Sequence, residues 1–252
     1  MKTKILICGI GGKMGANVAE LLADDSECET VGGVDLHIPE NVKVPVYPSF
    51  NEVKVAPDVI IDFSSPAVLK SELEYAVKNK VAVVLASTGY SADDLNLIDL
   101  YSKKIAVFKT ANFSIGINLL VKLVKQAAVA LGDKFDIEII EKHHNLKVDS
   151  PSGTALMLAD GANEALGGDR KYLNGREGQI GKRGNEIGIH AVRGGTIVGE
   201  HDVMFAGEDE IITLSHSARS KKVFAAGAIK AAKWLKNKPA GKYDMTDVLE
   251  NL

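Results

Sequence analysis

Apolar residues gather in short unbroken runs through the first part of the chain, and each run stops at a glycine or an acid. Lys4–Cys8 (KILIC) reads as a buried strand ended by glycine. Thr30–Val34, closed by Asp35, is a second; Asp58–Asp62, Val81–Leu85 and Ile105–Phe108 are a third, fourth and fifth. Between them the period turns helical. Met14, Val18, Leu21 and Leu22 mark a helix over Lys13–Asp24. Pro66 is placed to open one running to about Asn79, and Ser91 with Asp93 and Asp94 caps another. Strands apolar on both faces, alternating with helices, specify a parallel sheet covered on both sides. The fold class expected is α/β, with a Rossmann-like doubly wound sheet over residues 1–111.

The pattern then changes. Residues 115–131 predict a long helix with Ile115, Leu119, Leu120, Leu123, Val124, Ala127 and Leu131 on its buried side. A strand follows at 135–140, then a loop, then a helix from Gly153 to Leu166. The stretch 168–185 is rich in glycine and charge and has no period. Strands are expected at Ile187–Val192, Thr196–Phe205 and Glu210–His216. Residues 112–221 therefore read as a second, α+β domain with a mixed, largely antiparallel sheet. The last helix, about Lys222 to Asn237, carries Phe224, Ala228, Ala231, Ala232 and Leu235 and could pack on either domain.

Charge and composition narrow the function. The formal net charge of −3 offers no field for nucleic acid or an anionic membrane. Two cysteines, Cys8 and Cys28, make no disulfide framework and no metal-like spacing, which fits a reducing cytoplasm. No signal peptide is visible and no segment approaches the length of a membrane span. The basic residues Arg170, Lys171, Arg176, Lys182 and Arg183 read as a solvated surface, with a mobile loop near the site as the alternative.

Chemistry enters at Gly9-Ile10-Gly11-Gly12-Lys13-Met14-Gly15, between the first strand and the first helix. Gly9 permits a tight turn, Gly12 lets the main chain approach a pyrophosphate, and Gly15 allows the helix to pack closely on the sheet. The helix start offers unpaired N–H groups to the phosphates. Asp35 is placed to accept hydrogen bonds from ribose hydroxyls and to repel a 2′-phosphate, and Leu36, His37 and Ile38 bring no arginine after it. NADH is the favoured cofactor; Lys13, a cation at the helix start, keeps NADPH open.

The segment Glu141–Ala155 (EKHHNLKVDSPSGTA) is the most informative. Ser152-Gly153-Thr154 before an apolar-periodic run looks like an exposed helix start, suited to an anion, and Lys147 offers a point charge to a second one. Imidazoles titrate near neutral pH and can hand over a proton. Zinc is disfavoured because no third ligand stands at a useful spacing. Proton transfer to a small dicarboxylate is the chemistry suggested.

This segment resembles the signature E-x-H-H-x-x-K-x-D-x-P-S-G-T-A of the 4-hydroxy-tetrahydrodipicolinate reductase family at every fixed position. Asp62-Phe63-Ser64, Ala86-Ser87-Thr88-Gly89-Tyr90, Ala111–Gly116 and Val198–His201 look like the same family in the same order. The chain departs from it with Lys13 where arginine is frequent, and with Ala-Ser-Thr-Gly-Tyr where Gly-Thr-Thr-Gly-Phe is frequent. The resemblance implies reduction of 4-hydroxy-tetrahydrodipicolinate to tetrahydrodipicolinate by a reduced nicotinamide, on the route to diaminopimelate and lysine. By the same match, His143 is the general acid and Lys147 the catalytic, carboxylate-holding lysine. His144, Gly153 and Thr154 bind substrate. Phe63, Ala86, Ser87, Thr88, Ala111, Asn112, Phe113 and Lys221 line the cofactor, with Lys221 chosen from a basic stretch that matches less cleanly. It also implies a homotetramer built through the second domain, and a last segment, 222–252, that returns to the first. With the cofactor and substrate groups on different domains, closure about segments near 111 and 221 is expected to assemble the site. Two other readings compete, a different two-domain dehydrogenase and a nucleotide-sensing regulator. Neither accounts for a proton donor beside an anion-binding helix start.

Overall fold

The structure is a computed structural model that describes residues 1–37 and 42–250. The chain opens with β1 (Thr3–Cys8), α1 (Lys13–Ala23), β2 (Cys28–Val34), β3 (Val46–Tyr47) and β4 (Val59–Asp62). It continues with α2 (Leu69–Asn79), β5 (Ala82–Leu85), α3 (Ala92–Ser102) and β6 (Ala106–Lys109). Next come α4 (Ile115–Leu131), β7 (Asp136–His143), α5 (Gly153–Ala165), β8 (Lys171–Asn174), β9 (Glu186–Arg193), β10 (Gly199–Ala206) and β11 (Ile211–Ala218). It closes with α6 (Lys222–Leu235), β12 (Gly241–Tyr243) and α7 (Met245–Glu250). Two compact units result, Met1–Ser114 with Lys222–Leu252, and Ile115–Lys221.

The first unit is a seven-stranded parallel sheet in the order β12-β6-β5-β4-β1-β2-β3. Its middle strands are apolar on both faces because helices cover both: Ile5, Leu6 and Ile7 of β1 are fully buried. Each such side chain contributes about 1.5–3 kcal/mol. Ser91 and Asp94 form a reciprocal capping box at the start of α3, as the sequence leads one to expect. The last helix, α6, packs on α1 and across β4, β5 and β6. The short β3, β12 and α7 carry no readable period and were not anticipated. Ile38 lies outside the described residues, as do the last two residues of 222–252.

The second unit is a five-stranded sheet in the order β11-β10-β7-β9-β8, with α4 and α5 packed together beside it. It is evenly mixed: β7–β9 and β8–β9 are parallel, β7–β10 and β10–β11 antiparallel. Three expectations need correcting. First, β7 runs through Glu141 and Lys142 to His143, where the sequence pattern predicts a loop. Charged residues can extend this strand because its backbone is paired on both sides, Lys142 opposite Glu200 and Val192.

Second, the glycine-rich stretch contains β8, and its arginines are held rather than solvated. Arg170 is buried and pairs with Asp133. Arg176 donates to Glu138 (2.9 Å) and Glu186 (2.7 Å), and Arg183 to Glu138 (3.2 Å) and the Ile137 carbonyl (3.0 Å). Third, α4 buries Ile117, Leu120, Val124 and Ala128, while Leu119 and Leu123 are exposed. With its continuation to Lys134 this helix is, by length and composition, long and apolar enough to cross a membrane. Its buried stripe packs on α5 and β11 instead.

Candidate active site

In the first unit the strand order reverses between β1 and β4, and ligands of such sheets bind outside the carboxyl ends of the strands at that point. Gly9 closes the turn after β1 with φ +78°, a conformation L side chains rarely adopt. A β-carbon at Gly15 would run into the Gly9 carbonyl oxygen, so α1 starts directly against the loop. Gly12 is the N-cap of α1; no side chain caps it and no acid sits in its first turn. Uncapped N–H groups and the positive end of a helix fit a pyrophosphate. Around them Ile10 is buried, Met14 half-buried, and Gly11, Gly12 and Lys13 exposed.

Asp35 directly follows β2 and accepts two backbone hydrogen bonds: Oδ2 from Gly11 N–H (2.8 Å) and Oδ1 from His37 N–H (3.0 Å). Asp62 ends β4. Its Oδ1 accepts from the Ser64 N–H (2.7 Å) and hydroxyl, and its Oδ2 from Ser87 Oγ (2.8 Å), which ties the loop after β4 to the loop after β5. Burial still pushes the Asp62 carboxyl above the usual range. Phe63, Ala86 and Ser87 are half-buried here, with Thr88 exposed. The Asn112 side chain accepts from Ser114 N–H (2.8 Å), and Ala111 is exposed. Phe113 packs between Phe63 (6.1 Å between centroids) and Phe108 (5.9 Å). Lys221 is exposed at the last position of the second unit.

In the second unit, β7 presents Glu141 and His143 on one face, two residues apart. His143 Nδ1 lies 2.6 Å from Glu141 Oε2. Arg193 of β9 grips both oxygens of Glu141 at 2.8 Å, and the Ser152 N–H donates to Oε1 (3.0 Å). Burial opposes ionisation of Glu141, but the bonds from Arg193, His143 and Ser152 outweigh it and hold the carboxyl below its usual range. Ser152 is the N-cap of α5, its Oγ accepting from Ala155 N–H (3.1 Å). That hydroxyl also meets His201 Nε2 at 3.1 Å, and the His201 ring stands edge-on to His143 (5.2 Å). Burial, and then His143, push the His201 imidazole down to about 4.

Gly153 is exposed and Thr154 half-buried at the first two positions of α5. Lys147 does not stand as a lone charge: Asp149 holds its ammonium at 2.7 and 2.8 Å. His144 is half-buried, with its Nδ1 enclosed and unpartnered among the described residues. Sequence reasoning gave no role to Arg193, His201 or Glu141. For Glu141 the signal was present, an acid two residues before a histidine on one strand. His201 lies in the family-like stretch Val198–His201, but its place beside His143, like that of Arg193, follows only from the sheet order that brings β9 and β10 to either side of β7.

Comparison with known proteins identifies the family. The family described as dihydrodipicolinate reductase, N-terminus, matches residues 3–113, and dihydrodipicolinate reductase, C-terminus, matches residues 116–249. The chain belongs to the dihydrodipicolinate reductase family. A 4-hydroxy-tetrahydrodipicolinate reductase of Caldanaerobacter subterraneus is 50% identical over 251 residues, 99% of each chain. One from Clostridium tetani is 47% identical over 100% of this chain and 98% of its own. Among solved structures, a dipicolinate-bound dihydrodipicolinate reductase from Paenisporosarcina sp. TG-14 has TM-score 0.81 at 25% identity, covering 97% of this chain and 98% of that one. A C. glutamicum DAP dehydrogenase, TM-score 0.56 at 12% identity over 97% and 93% of the two chains, shares the fold. As a dihydrodipicolinate reductase family member, the chain is an NAD(P)-binding oxidoreductase.

Proposed function

We propose that the chain reduces 4-hydroxy-tetrahydrodipicolinate to tetrahydrodipicolinate in diaminopimelate and lysine biosynthesis, with His143 as the proton donor. The conversion takes one hydride and one proton, and the ring hydroxyl leaves as water. Reduced nicotinamide, when bound, supplies the hydride. The protein's own part is to hold two carboxylates and deliver the proton. Gly153 and Thr154 at the α5 start, with Ser152 beneath them, take one carboxylate at the positive end of the helix. Lys147 takes the other, exchanging its Asp149 partner for the substrate, and His144 completes the substrate contacts. A positioned imidazolium contributes roughly 10²–10⁴ in rate, and an ammonium nearby stabilises charge that builds on the ring.

The observation that carries this reading is the buried Glu141–His143 pair at 2.6 Å, next to the N-terminus of α5. The test is a nicotinamide-absorbance assay with enzymatically generated substrate on His143→Gln and Lys147→Ala. Loss of turnover in both is expected, and near wild-type rates in both overturn the roles.

For the cofactor we propose NADH over NADPH, held by residues 9–14, Asp35, Phe63, Ala86–Thr88, Ala111–Phe113 and Lys221. The Asp35 carboxylate, pinned by Gly11 and His37 N–H groups, opposes a second phosphate at that ribose. Exposed Lys13 favours one, so parallel kinetics with both cofactors decides. We also propose a homotetramer built through the second unit, supported by the exposed apolar residues Val192, Ile211 and Ile212 on its sheet; light scattering on the eluting protein tests it. The two buried, unpaired cysteines suit a cytoplasmic setting.

A further inference from the structure

One carboxylate on β7 holds three groups at once. Glu141 Oε2 meets His143 Nδ1 (2.6 Å) and an Arg193 N–H (2.8 Å), while Oε1 takes the Ser152 N–H (3.0 Å) and a second Arg193 N–H (2.8 Å). These four bonds fill the acceptor sites of a carboxylate. Two parallel bonds from a guanidinium, which is always charged, keep Glu141 ionised. An ionised carboxylate has no proton to give, so the hydrogen in the Glu141–His143 contact belongs to His143 Nδ1. The nitrogen left to exchange a proton is Nε2. A β-carbon on Gly199 would stand only 3.1 Å from that atom, so glycine at this position keeps a side chain off it.

The same pair reaches the rest of the substrate-facing surface. Arg193 also donates to the Asp149 carbonyl (2.8 Å), fixing the backbone of the segment that carries Lys147. Ser152, bound through its N–H, is the N-cap of α5. The imidazole, the helix start and the lysine segment therefore all hang on Glu141 and Arg193.

We propose that Glu141 and Arg193 are a positioning pair that makes Nε2 of His143 the proton-delivering nitrogen and keeps it in register with the start of α5. The proposal rests on the reading of His143 as the acid, and the experiment separates the two. In the ¹⁵N-histidine-labelled full chain, Glu141→Gln replaces an obligate acceptor by an amide of the same shape that can donate to Nδ1. Turnover is expected to fall roughly 10²-fold or more, with NADH affinity unchanged within about twofold because all of its proposed contacts except Lys221 lie on the other unit. The neutral His143 ring is expected to move from the Nδ1–H to the Nε2–H ¹⁵N pattern, a change that mere loosening of β7 would not produce.

Where Glu141→Gln leaves Arg193 stranded and the chain unfolded, Glu141→Gln/Arg193→Met removes both charges, and the same two changes are expected of it. Retention of the Nδ1–H pattern, or turnover within about threefold of wild type, in either folded variant overturns the proposal. A slow His143→Gln beside a fast Glu141→Gln overturns the positioning role alone. A fast His143→Gln removes the acid itself, and the proposal with it.

Discussion

Glu72 of α2 is 0% exposed, and neither carboxylate oxygen has a hydrogen-bond partner among the described residues. Its helix neighbours Leu69, Leu73 and Ala76 belong to the core of the first unit. Burial, and then the nearby Asp62 charge, push the Glu72 carboxyl well above its ordinary value of 4.5. The folded chain therefore keeps a proton at Glu72 that the unfolded chain releases above about pH 4.5. Stability contributed in acid is lost as pH rises, at about 1.4 kcal/mol per pH unit for as long as the folded group stays neutral.

Glu72→Gln keeps the shape and removes the titration. Its stability relative to wild type is expected to grow steadily as the pH rises from 5 to 7. The single tryptophan, Trp234, sits in α6 of the same unit, so its fluorescence in urea titrations follows the part of the molecule concerned. A difference between the Glu72→Gln variant and wild type that stays constant from pH 5 to pH 7 would refute the reasoning, because Glu72 would then ionise like an exposed acid.

Three further outcomes are expected. His201, pushed down to about 4 from an ordinary 6.5, stays neutral in the fold while the unfolded chain protonates. Stability present above pH 6.5 should fall by about 1.4 kcal/mol per unit towards pH 4, and calorimetry should find that acid slope reduced in His201→Gln. Asp149→Asn releases Lys147 from an exposed partner whose hold is worth up to about 1 kcal/mol; KM for the dicarboxylate should fall up to about fivefold with kcat little changed, and a rise in KM would show Asp149 to be needed in place. Asp35→Ser should shift the NADPH-to-NADH ratio of kcat/KM upward by roughly tenfold, and an unchanged ratio would remove Asp35 from cofactor choice.

The first unit was legible because its rules are local. A run such as Ile5-Leu6-Ile7, a glycine after it and a helical period next define strand, turn and helix without knowledge of anything distant. The short β3 and β12 escaped because two or three residues carry no period, and they exist only as edges added to a finished sheet. The second unit was harder for the same reason in reverse. Glu138 looks like a surface acid until β8 and β9 bring Arg176, Arg183 and His190 around it. Two of the three arginines that looked solvated are its partners, and the third, Arg170, pairs with Asp133. Likewise the E-x-H-H segment announced a proton donor, but the strand that continues beneath it, and the Arg193 that fixes its charge, are products of sheet order.

Two buried glutamates, one in each unit, show what a partner does to a carboxyl group. Glu141 faces a guanidinium and two N–H donors, which hold its carboxyl below the usual range; Glu72 has burial and the Asp62 charge against it and no donor, and its carboxyl is pushed well above that range. Replacement of a buried ion pair by apolar residues of similar volume is often neutral or stabilising, so the Glu141–Arg193 pair is poorly explained as a device for stability. Its geometry is well explained as one for direction, since only a group that cannot donate forces the proton onto Nδ1 of His143. Glu72 has no such role, and nothing in the structure explains a carboxyl at that position. Substitution there should therefore change stability and leave turnover alone, whereas substitution of Glu141 should change turnover even where the fold is kept.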